Sequence, residues 1–192
     1  QDNGVRQQVP PDTTTGIPIV YGSAYLGGKF CDAVLSTNQQ VMWYTMAISC
    51  VSPNGTFTFD KTKFYYGDQL ITFDTTDPCK VVSLTDGAGN VTTNIGGGGQ
   101  SHLYIFTYQS DASGTITPLT SNGTMPWDIV SSTKPQDPVP SGQEWTSTGR
   151  RMNGTVFAVV VLGYNTSAGT TNLNPITFHM SQYLYSQGCA KP

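Results

Sequence analysis

Residues 154–164, GTVFAVVVLGY, form the longest apolar run in the chain and decide its fold. Between Thr155 and Leu162 no residue is charged, and Thr155 carries the only polar side chain. Val and Phe favour extended backbone because their side chains pack well on a pleated surface. Eight residues suit a strand better than a buried helix. Since a strand without a polar face must be covered on both sides, the sequence predicts a central, doubly covered strand here.

The composition around this run is that of one folded domain with few helices. The chain has 192 residues, enough for a single sizeable core. Charged residues make up only 11%, against about 25% in typical domains, while aromatic residues at 11% argue against disorder. There are 21 Gly, 12 Pro and a single Glu, Glu144. We therefore predict an extended lead-in over residues 1–15 and one domain over 16–192.

Alternating apolar residues and regularly spaced turn residues predict about eleven short strands. This pattern is typical of an all-β, antiparallel β-sandwich or jelly roll with no substantial helix. In the strand predicted at 40–51, the face with Met46 and Ile48 is the more apolar and is expected to point inward. The predicted strands are 17–21, 29–35, 40–51, 56–59, 63–66, 70–73, 80–84, 101–108, 115–119, 154–164 and 176–185.

Residues 121–149 are the least regular part of the chain and contain four prolines, which exclude a central strand. A long surface excursion of this kind often carries binding function. Trp127 and Trp145 could stack on sugar rings or anchor a protein contact. The alternative is a structural role, in which both side chains pack this segment against the sandwich. Arg150 and Arg151 could bind an acidic sugar or could simply be solvated. These four side chains are the candidate receptor-binding residues.

No pattern of residues indicates catalysis or a metal site. Glu144 lies in a Pro-rich segment, and the twelve acids form no recognisable glycosidase pair. His102 and His179 lie in predicted strands among aromatic residues, which favours structural or solvent-facing roles over catalysis. We therefore expect a non-enzymatic protein without a metal or other cofactor.

Charge and hydropathy also bear on the partners. The nine Lys and Arg residues are scattered and the net charge is −3, so nucleic-acid binding is not expected. No apolar run approaches the roughly 18 residues that span a bilayer, so membrane insertion is not expected either.

The cysteines and glycosylation sequons leave alternatives open. The four cysteines fit no zinc pattern and could form two disulfides, but buried free thiols are preferred because two of them lie in apolar runs. The five sequons indicate a secreted glycoprotein or, equally, Asn-Gly turns in a Thr-rich chain. The cysteines are Cys31, Cys50, Cys79 and Cys189, and the sequons begin at Asn54, Asn90, Asn122, Asn153 and Asn165.

The end of the chain resembles the head, or knob, of an adenovirus fibre of the avian type. The resemblance rests on residues 152–187, MNGTVFAVVVLGYNTSAGTTNLNPITFHMSQYLYSQ, in which a Gly-Thr apolar strand, a polar loop and a Ser- and aromatic-rich strand follow each other. The Thr-Leu-Trp-Thr motif that mammalian members carry where shaft meets head is missing. The resemblance implies a homotrimer on the virion surface that attaches to a host receptor. It also implies a shaft–head linker at residues 1–15, free thiols and unused sequons.

These observations predict an attachment domain of a virion fibre that binds a cell-surface protein or glycan. The alternative is a secreted microbial adhesin or lectin domain that binds carbohydrate, and a jelly-roll carbohydrate-active enzyme is a third class. Residues 121–149 or a neighbouring subunit must cover the second face of the strand at 154–164. Cover by a neighbour is the physical reason to expect an oligomer.

Overall fold

The fold is seen in a computed structural model of the chain, which describes residues 16–36, 41–51, 55–93, 95, 103–120, 123–131, 146–163 and 173–184. Within these residues there are twelve strands, one short α-helix and one 3₁₀ turn, Lys61–Lys63. The helix is α1 (Pro126–Ser131). The strands are β1 (Gly22–Gly27), β2 (Lys29–Leu35), β3 (Val41–Cys50), β4 (Gly55–Phe59), β5 (Tyr65–Tyr66), β6 (Gln69–Phe73), β7 (Val81–Thr85), β8 (Val91–Thr92), β9 (Leu103–Ser110), β10 (Ile116–Pro118), β11 (Thr155–Gly163) and β12 (Ile176–Leu184).

The strands form two packed antiparallel sheets, which confirms the predicted all-β sandwich. A seven-stranded sheet has the order β1-β12-β5-β6-β7-β8, with β4 also paired to β12. A five-stranded sheet has the order β10-β9-β11-β3-β2. The sheets meet at one edge, where the Ile105 amide donates to the Cys79 carbonyl at 2.8 Å.

Strand β11 lies at the centre of the five-stranded sheet, and all nine of its residues are buried. One face packs between the sheets in what we call the inner cluster, to which β11 contributes Val156, Ala158, Val160 and Leu162. The other face belongs to the outer cluster, on the far side of the five-stranded sheet, with Phe157, Val159 and Val161. The prediction of a doubly covered strand is therefore confirmed.

The cover of the outer cluster comes from the same chain. Ile129 of α1 is buried in the cluster, and Met125, Trp127 and Met152 pack against it. The start of the Pro-rich excursion thus forms a short helix, where the sequence predicted irregular chain. Because one chain buries both faces of β11, burial of this strand gives no reason to require an oligomer.

Strand β3 shows the same double burial. Met46 and Ile48 belong to the inner cluster, as predicted. The opposite face is buried as well, since Trp43 and Thr45 on it are 2% and 3% exposed. The reason is that β3 lies beside β11, under the same outer cover.

The predicted strand at 17–21 is also wrong, since residues 16–21 form no strand and the first strand is β1. Pro18 lacks an amide hydrogen and its carbonyl accepts hydrogen bonds from the Cys50 amide and the Ser49 hydroxyl, both at 3.0 Å. This segment therefore anchors the end of β3 instead of extending a sheet.

Two cysteines are less buried than the sequence predicted. Cys31 and Cys50 are free thiols, as expected. However, Cys31 is exposed, because it is the extra residue where the β2–β3 register shifts between Phe30 and Asp32, and Cys50 is only half-buried. Cys79 is buried, with its thiol 3.5 Å from the Thr120 carbonyl oxygen. Cys189 lies outside the described residues. So do Asn54 and Asn122, the first residues of the Asn-Gly turns predicted at 54–55 and 122–123.

We predict that Val159→Asp and Val160→Asp each prevent stable folding. Both side chains are 0% exposed, on opposite faces of β11, and each aspartate would leave an unpaired charge in a core at a cost of more than about 3 kcal/mol. Urea unfolding followed by circular dichroism measures the effect. Val91→Asp is the control, because Val91 is 60% exposed and the change should stay within about 0.5 kcal/mol. A well-folded Val159→Asp monomer would contradict the assignment of the outer cluster to the core.

Candidate functional site

The described structure includes three of the four candidate residues predicted from the sequence, and each of the three has its own contacts. Trp127 is half-buried and packs against the outer cluster, which is a structural role. Trp145 lies outside the described residues. Arg150 forms an ion pair with Asp32 of β2, and the Nε of Arg151 donates to the Ser147 carbonyl at 3.0 Å. Arg150 is thus ion-paired, and Arg151 is hydrogen-bonded to the turn before β11.

A different group of side chains is exposed on the outer surface of the seven-stranded sheet. Tyr25, Tyr65 and His179 form a cluster that we call the aromatic face. The ring centroids of Tyr25 and His179 are 4.7 Å apart, and those of Tyr25 and Tyr65 are 6.2 Å apart in an edge-on arrangement. Tyr25 is 53% exposed, whereas only 13% of the His179 side chain reaches solvent. Tyr25 is therefore the exposed ring, and the other two rings support it.

Strand register explains why these rings meet. Tyr25 of β1 lies directly opposite His179 of β12, and Tyr65 of β5 lies opposite Thr177 on the other side of β12. Side chains alternate along a strand, so Phe178 and Met180 point into the inner cluster while His179 points outward. A single strand, β12, thereby supplies core residues on one face and the centre of the aromatic face on the other.

Hydroxyl and charged groups border the aromatic face. The hydroxyls of Ser23 and Ser181 lie 2.5 Å apart across the β1–β12 pair, and Ser181 is opposite the exposed Thr58. On the side of β5, the Lys63 Nζ lies 2.9 Å from Asp60 Oδ2. The surroundings of the rings are therefore polar, with one ion pair.

Asp60 is held ionised by its neighbours. Its Oδ1 accepts hydrogen bonds from the Thr62 hydroxyl at 2.5 Å and the Thr62 amide at 3.2 Å. These bonds, together with the hydrogen bond from Lys63, lower the pKa of Asp60 to about 2. The same pairing raises the pKa of Lys63. The Nδ1 of His179 is buried and has no hydrogen-bond partner among the described residues. It lies 3.9 Å from Asp60 Oδ2, beyond hydrogen-bond distance.

The outward position of β1 that follows Tyr25 is a glycine, Gly27. Gly27 is opposite Thr177, and a Cβ placed on it would find no atom within 4 Å. Its backbone is not in the left-handed region, so a larger residue would fit there without strain. Glycine at this position therefore keeps surface beside the exposed ring open.

The aromatic face was not predicted from the sequence. Tyr25 lies outside the strand predicted at 17–21, whereas the sequence does allow a solvent-facing role for His179. The alternation in β1, with Ala24 and Leu26 packed against the inner cluster, is the signal that would have put Tyr25 and Gly27 on one outer face.

Four aspartates have structural roles as loop caps. Asp60, Asp74, Asp86 and Asp111 each accept hydrogen bonds at Oδ1 from residues two to four positions further on. Among the residues that the structure describes, no group of three or more His, Cys, Asp and Glu side chains could hold a metal ion. The acids that a catalytic role would need are, in these four cases, already committed to turns. His102 and Glu144 lie outside the described residues.

The fold and the site together define a class, an antiparallel β-sandwich with an exposed aromatic face on one sheet. No family model, curated protein or solved structure matched the chain. No helix in the described part of the chain is long and apolar enough to cross a membrane. The chemistry of the aromatic face is therefore the basis on which its function can be inferred.

We predict that the protein loses stability in acid, between about pH 4 and pH 2. The hydrogen bonds from Thr76, at 2.7 Å from both its amide and its hydroxyl, lower the pKa of Asp74 from 3.8 to about 2. A lowered folded-state pKa means that the carboxylate stabilises the fold above about pH 4 and that this contribution disappears as pH falls towards 2. The Asp74→Asn variant should show a shallower fall in the free energy of unfolding across this window. Parallel pH profiles for the two proteins, measured by urea unfolding, would refute this role of Asp74.

Proposed function

We propose that this chain is a non-enzymatic attachment domain, carried on a virion fibre, that binds a glycan on the host cell surface through the aromatic face. The observation that carries the proposal is Tyr25, a large aromatic side chain that is 53% exposed yet fixed by ring contacts to His179 and Tyr65. A rigid aromatic ring in solvent offers contact area at low entropic cost to a ligand.

The size and surroundings of the aromatic face favour a glycan over a protein. A stable protein interface buries about 800 Å² per partner, with an apolar centre. Of the three rings that form the aromatic face, only Tyr25 is mostly exposed, so the exposed apolar area of this cluster is small. The residues Ser23, Ser181 and Thr58, which carry hydroxyls, form the neighbouring cross-strand row on one side of it. One ring bordered by hydroxyls suits a sugar, which has an apolar C–H face and a polar rim.

The placement on a virion fibre draws support from two sources. The all-β sandwich is the architecture that the resemblance of residues 152–187 to adenovirus fibre heads implies. Cys31 is exposed as a free thiol, which suits a protein that matures in a reducing compartment. A secreted adhesin or lectin domain is the second candidate, because a glycan site of this kind would serve it equally well.

We expect Tyr25→Ala to abolish glycan binding without unfolding the protein. The variant removes the exposed ring, while Ala24 and Leu26 of the same strand remain packed in the core. A glycan array and a cell-binding competition assay measure the effect, with a loss of at least about tenfold in affinity, as expected for an anchor residue.

Tyr21→Ala is the matched control, because Tyr21 is 69% exposed but has no ring contact within the described residues. This variant should bind like the original protein. Equal binding by Tyr25→Ala and the original chain would exclude the aromatic face. Binding to cells that persists after enzymatic removal of their glycans would favour a protein receptor.

Light scattering at micromolar concentration separates the fibre head from the secreted lectin. The fibre-head proposal, through its resemblance, expects a mass three times that of the chain. A monomer would count against the fibre and leave the glycan site of a lectin domain standing.

A further inference from the structure

His179 places a buried nitrogen beside a carboxylate at the centre of the aromatic face. Among the described residues, the His179 Nδ1 has no hydrogen-bond partner, and Asp60 Oδ2 lies 3.9 Å from it. The Asp60 amide donates to the His179 carbonyl at 3.1 Å, which fixes the carboxylate next to the ring. A shift of about 1 Å would bring the two atoms to hydrogen-bond distance. A proton on Nδ1 would then point at Asp60, whereas a nitrogen lone pair is repelled by it.

The same carboxylate oxygen has a second cation beside it. The Lys63 Nζ lies 2.9 Å from Asp60 Oδ2, while Oδ1 is held by the amide and hydroxyl of Thr62. Lys63 is also near enough to Tyr25 and Tyr65 to interact with both electrostatically. A change at Oδ2 therefore changes the charge that borders the aromatic face.

The other elements around His179 contribute no further charge to this arrangement. β1 and β5 place the phenol rings of Tyr25 and Tyr65 beside it. β4 contains no titratable residue. Lys61, on the same 3₁₀ turn as Lys63, donates from Nζ to the Pro78 carbonyl at 2.8 Å. Within these elements, Asp60 and Lys63 are therefore the charges that respond to His179.

Mild acid changes the balance between the two partners of Asp60. Histidine is the side chain whose charge changes between about pH 5 and 8. Asp60 stays ionised over this range, because its pKa is about 2. A buried N–H without an acceptor is costly, whereas the Lys63 side chain is 47% exposed and its ammonium can be hydrated. Oδ2 is therefore worth more to a protonated His179 than to Lys63, whose exposed ion pair contributes little.

We propose that His179 makes the aromatic face sensitive to pH: its protonated imidazole takes Asp60 Oδ2 as a hydrogen-bond acceptor and releases Lys63 as an unpaired cation. The imidazole takes one proton from solvent, so the three side chains change from no net charge to a net charge of one. A ligand that covers an unpaired ammonium must remove its water. Glycan binding at the aromatic face therefore weakens in mild acid, and only this last step rests on the proposed function.

A nuclear magnetic resonance titration of the whole chain from pH 7.5 to 5.0, without ligand, tests the switch. We expect the Lys63 side-chain signals and the Tyr25 ring signals to shift with the same midpoint as the His179 imidazole, whose signals are assigned with His179→Gln. In Asp60→Asn the Lys63 signals should no longer follow the imidazole. Lys63 signals that stay constant while His179 titrates, or an imidazole that does not titrate in this range, would overturn the proposal.

Asp74→Asn is the matched control for the loss of a loop-capping aspartate. Asp74 accepts hydrogen bonds from Thr76 as Asp60 does from Thr62, and its pKa is also lowered to about 2, but the carboxylate beside His179 is that of Asp60. In this variant the Lys63 signals should follow His179 as in the original protein. A loss of the coupling here would show a general effect of removing a cap and would contradict the switch.

The effect on binding is measured as the ratio of affinities at pH 7.5 and pH 5.0, for an array glycan whose binding depends on Tyr25. We expect the original protein to bind at least about threefold more weakly at pH 5.0. The ratio should be close to one for His179→Gln, and Lys63→Met should not weaken in acid because it has no ammonium to release. Each variant is compared with itself, so a change in its absolute affinity does not affect the test.

The outcomes separate the switch from the proposed function. An equal loss of affinity in acid by His179→Gln would overturn the control of binding by this residue. If no glycan binds at pH 7.5 and Tyr25→Ala leaves cell attachment intact, the proposed function fails, and the titration without ligand still decides whether His179 releases Lys63.

Discussion

The burial of β11 on both faces is the constraint on which the rest of this structure depends. Val156, Ala158, Val160 and Leu162 fill the space between the sheets, and Phe157, Val159 and Val161 need a second cover. The chain provides that cover with Ile129 of α1 and the side chains around it. As a result, the central part of the five-stranded sheet has no solvent-facing side, whereas the outer surface of the seven-stranded sheet contacts solvent.

This difference between the covered and the uncovered sheet explains why the candidate residues have different roles. Trp127 is adjacent to the covered sheet, so it is used for packing. Tyr25 is on the uncovered sheet, so its ring remains in solvent although β1 is paired with β12 along its whole length. The residue with the most obvious binding chemistry in the sequence therefore has a structural role, while a tyrosine in a short Gly-rich strand is the exposed one.

On this surface with few charges, four aspartates stabilise loops. Asp74, Asp86 and Asp111 fix loops by accepting amide hydrogen bonds, and Asp60 does the same next to the aromatic face. Because Asp60 is paired with Lys63, the face carries little net charge. Hydroxyl groups and aromatic rings are therefore the main chemistry that this face offers.

Much of the fold could be predicted from local patterns. The bounds of β2 match the prediction at 29–35, and β3, β9, β11 and β12 agree to within two residues at each end, because strong apolar alternation or a long apolar run marks each of them. The segment at 17–21 was misjudged because it is apolar, yet Pro18 directs its carbonyl to the end of β3. Strand β8, at Val91–Thr92, was missed because two exposed residues carry no pattern.

The sequence by itself determined that the chain is an all-β sandwich built around a strand buried on both faces. The apolar residues of such a strand are consecutive in the sequence, so a local pattern is enough to predict it. Only the tertiary structure decided that α1 covers the outer cluster and that Tyr25, Tyr65 and His179 meet. Those three residues are 40 or more positions apart and come together through the pairing of β1 and β5 with β12. Strand pairing between distant segments depends on which faces of the whole sheet must be buried, and no single stretch of sequence contains that information.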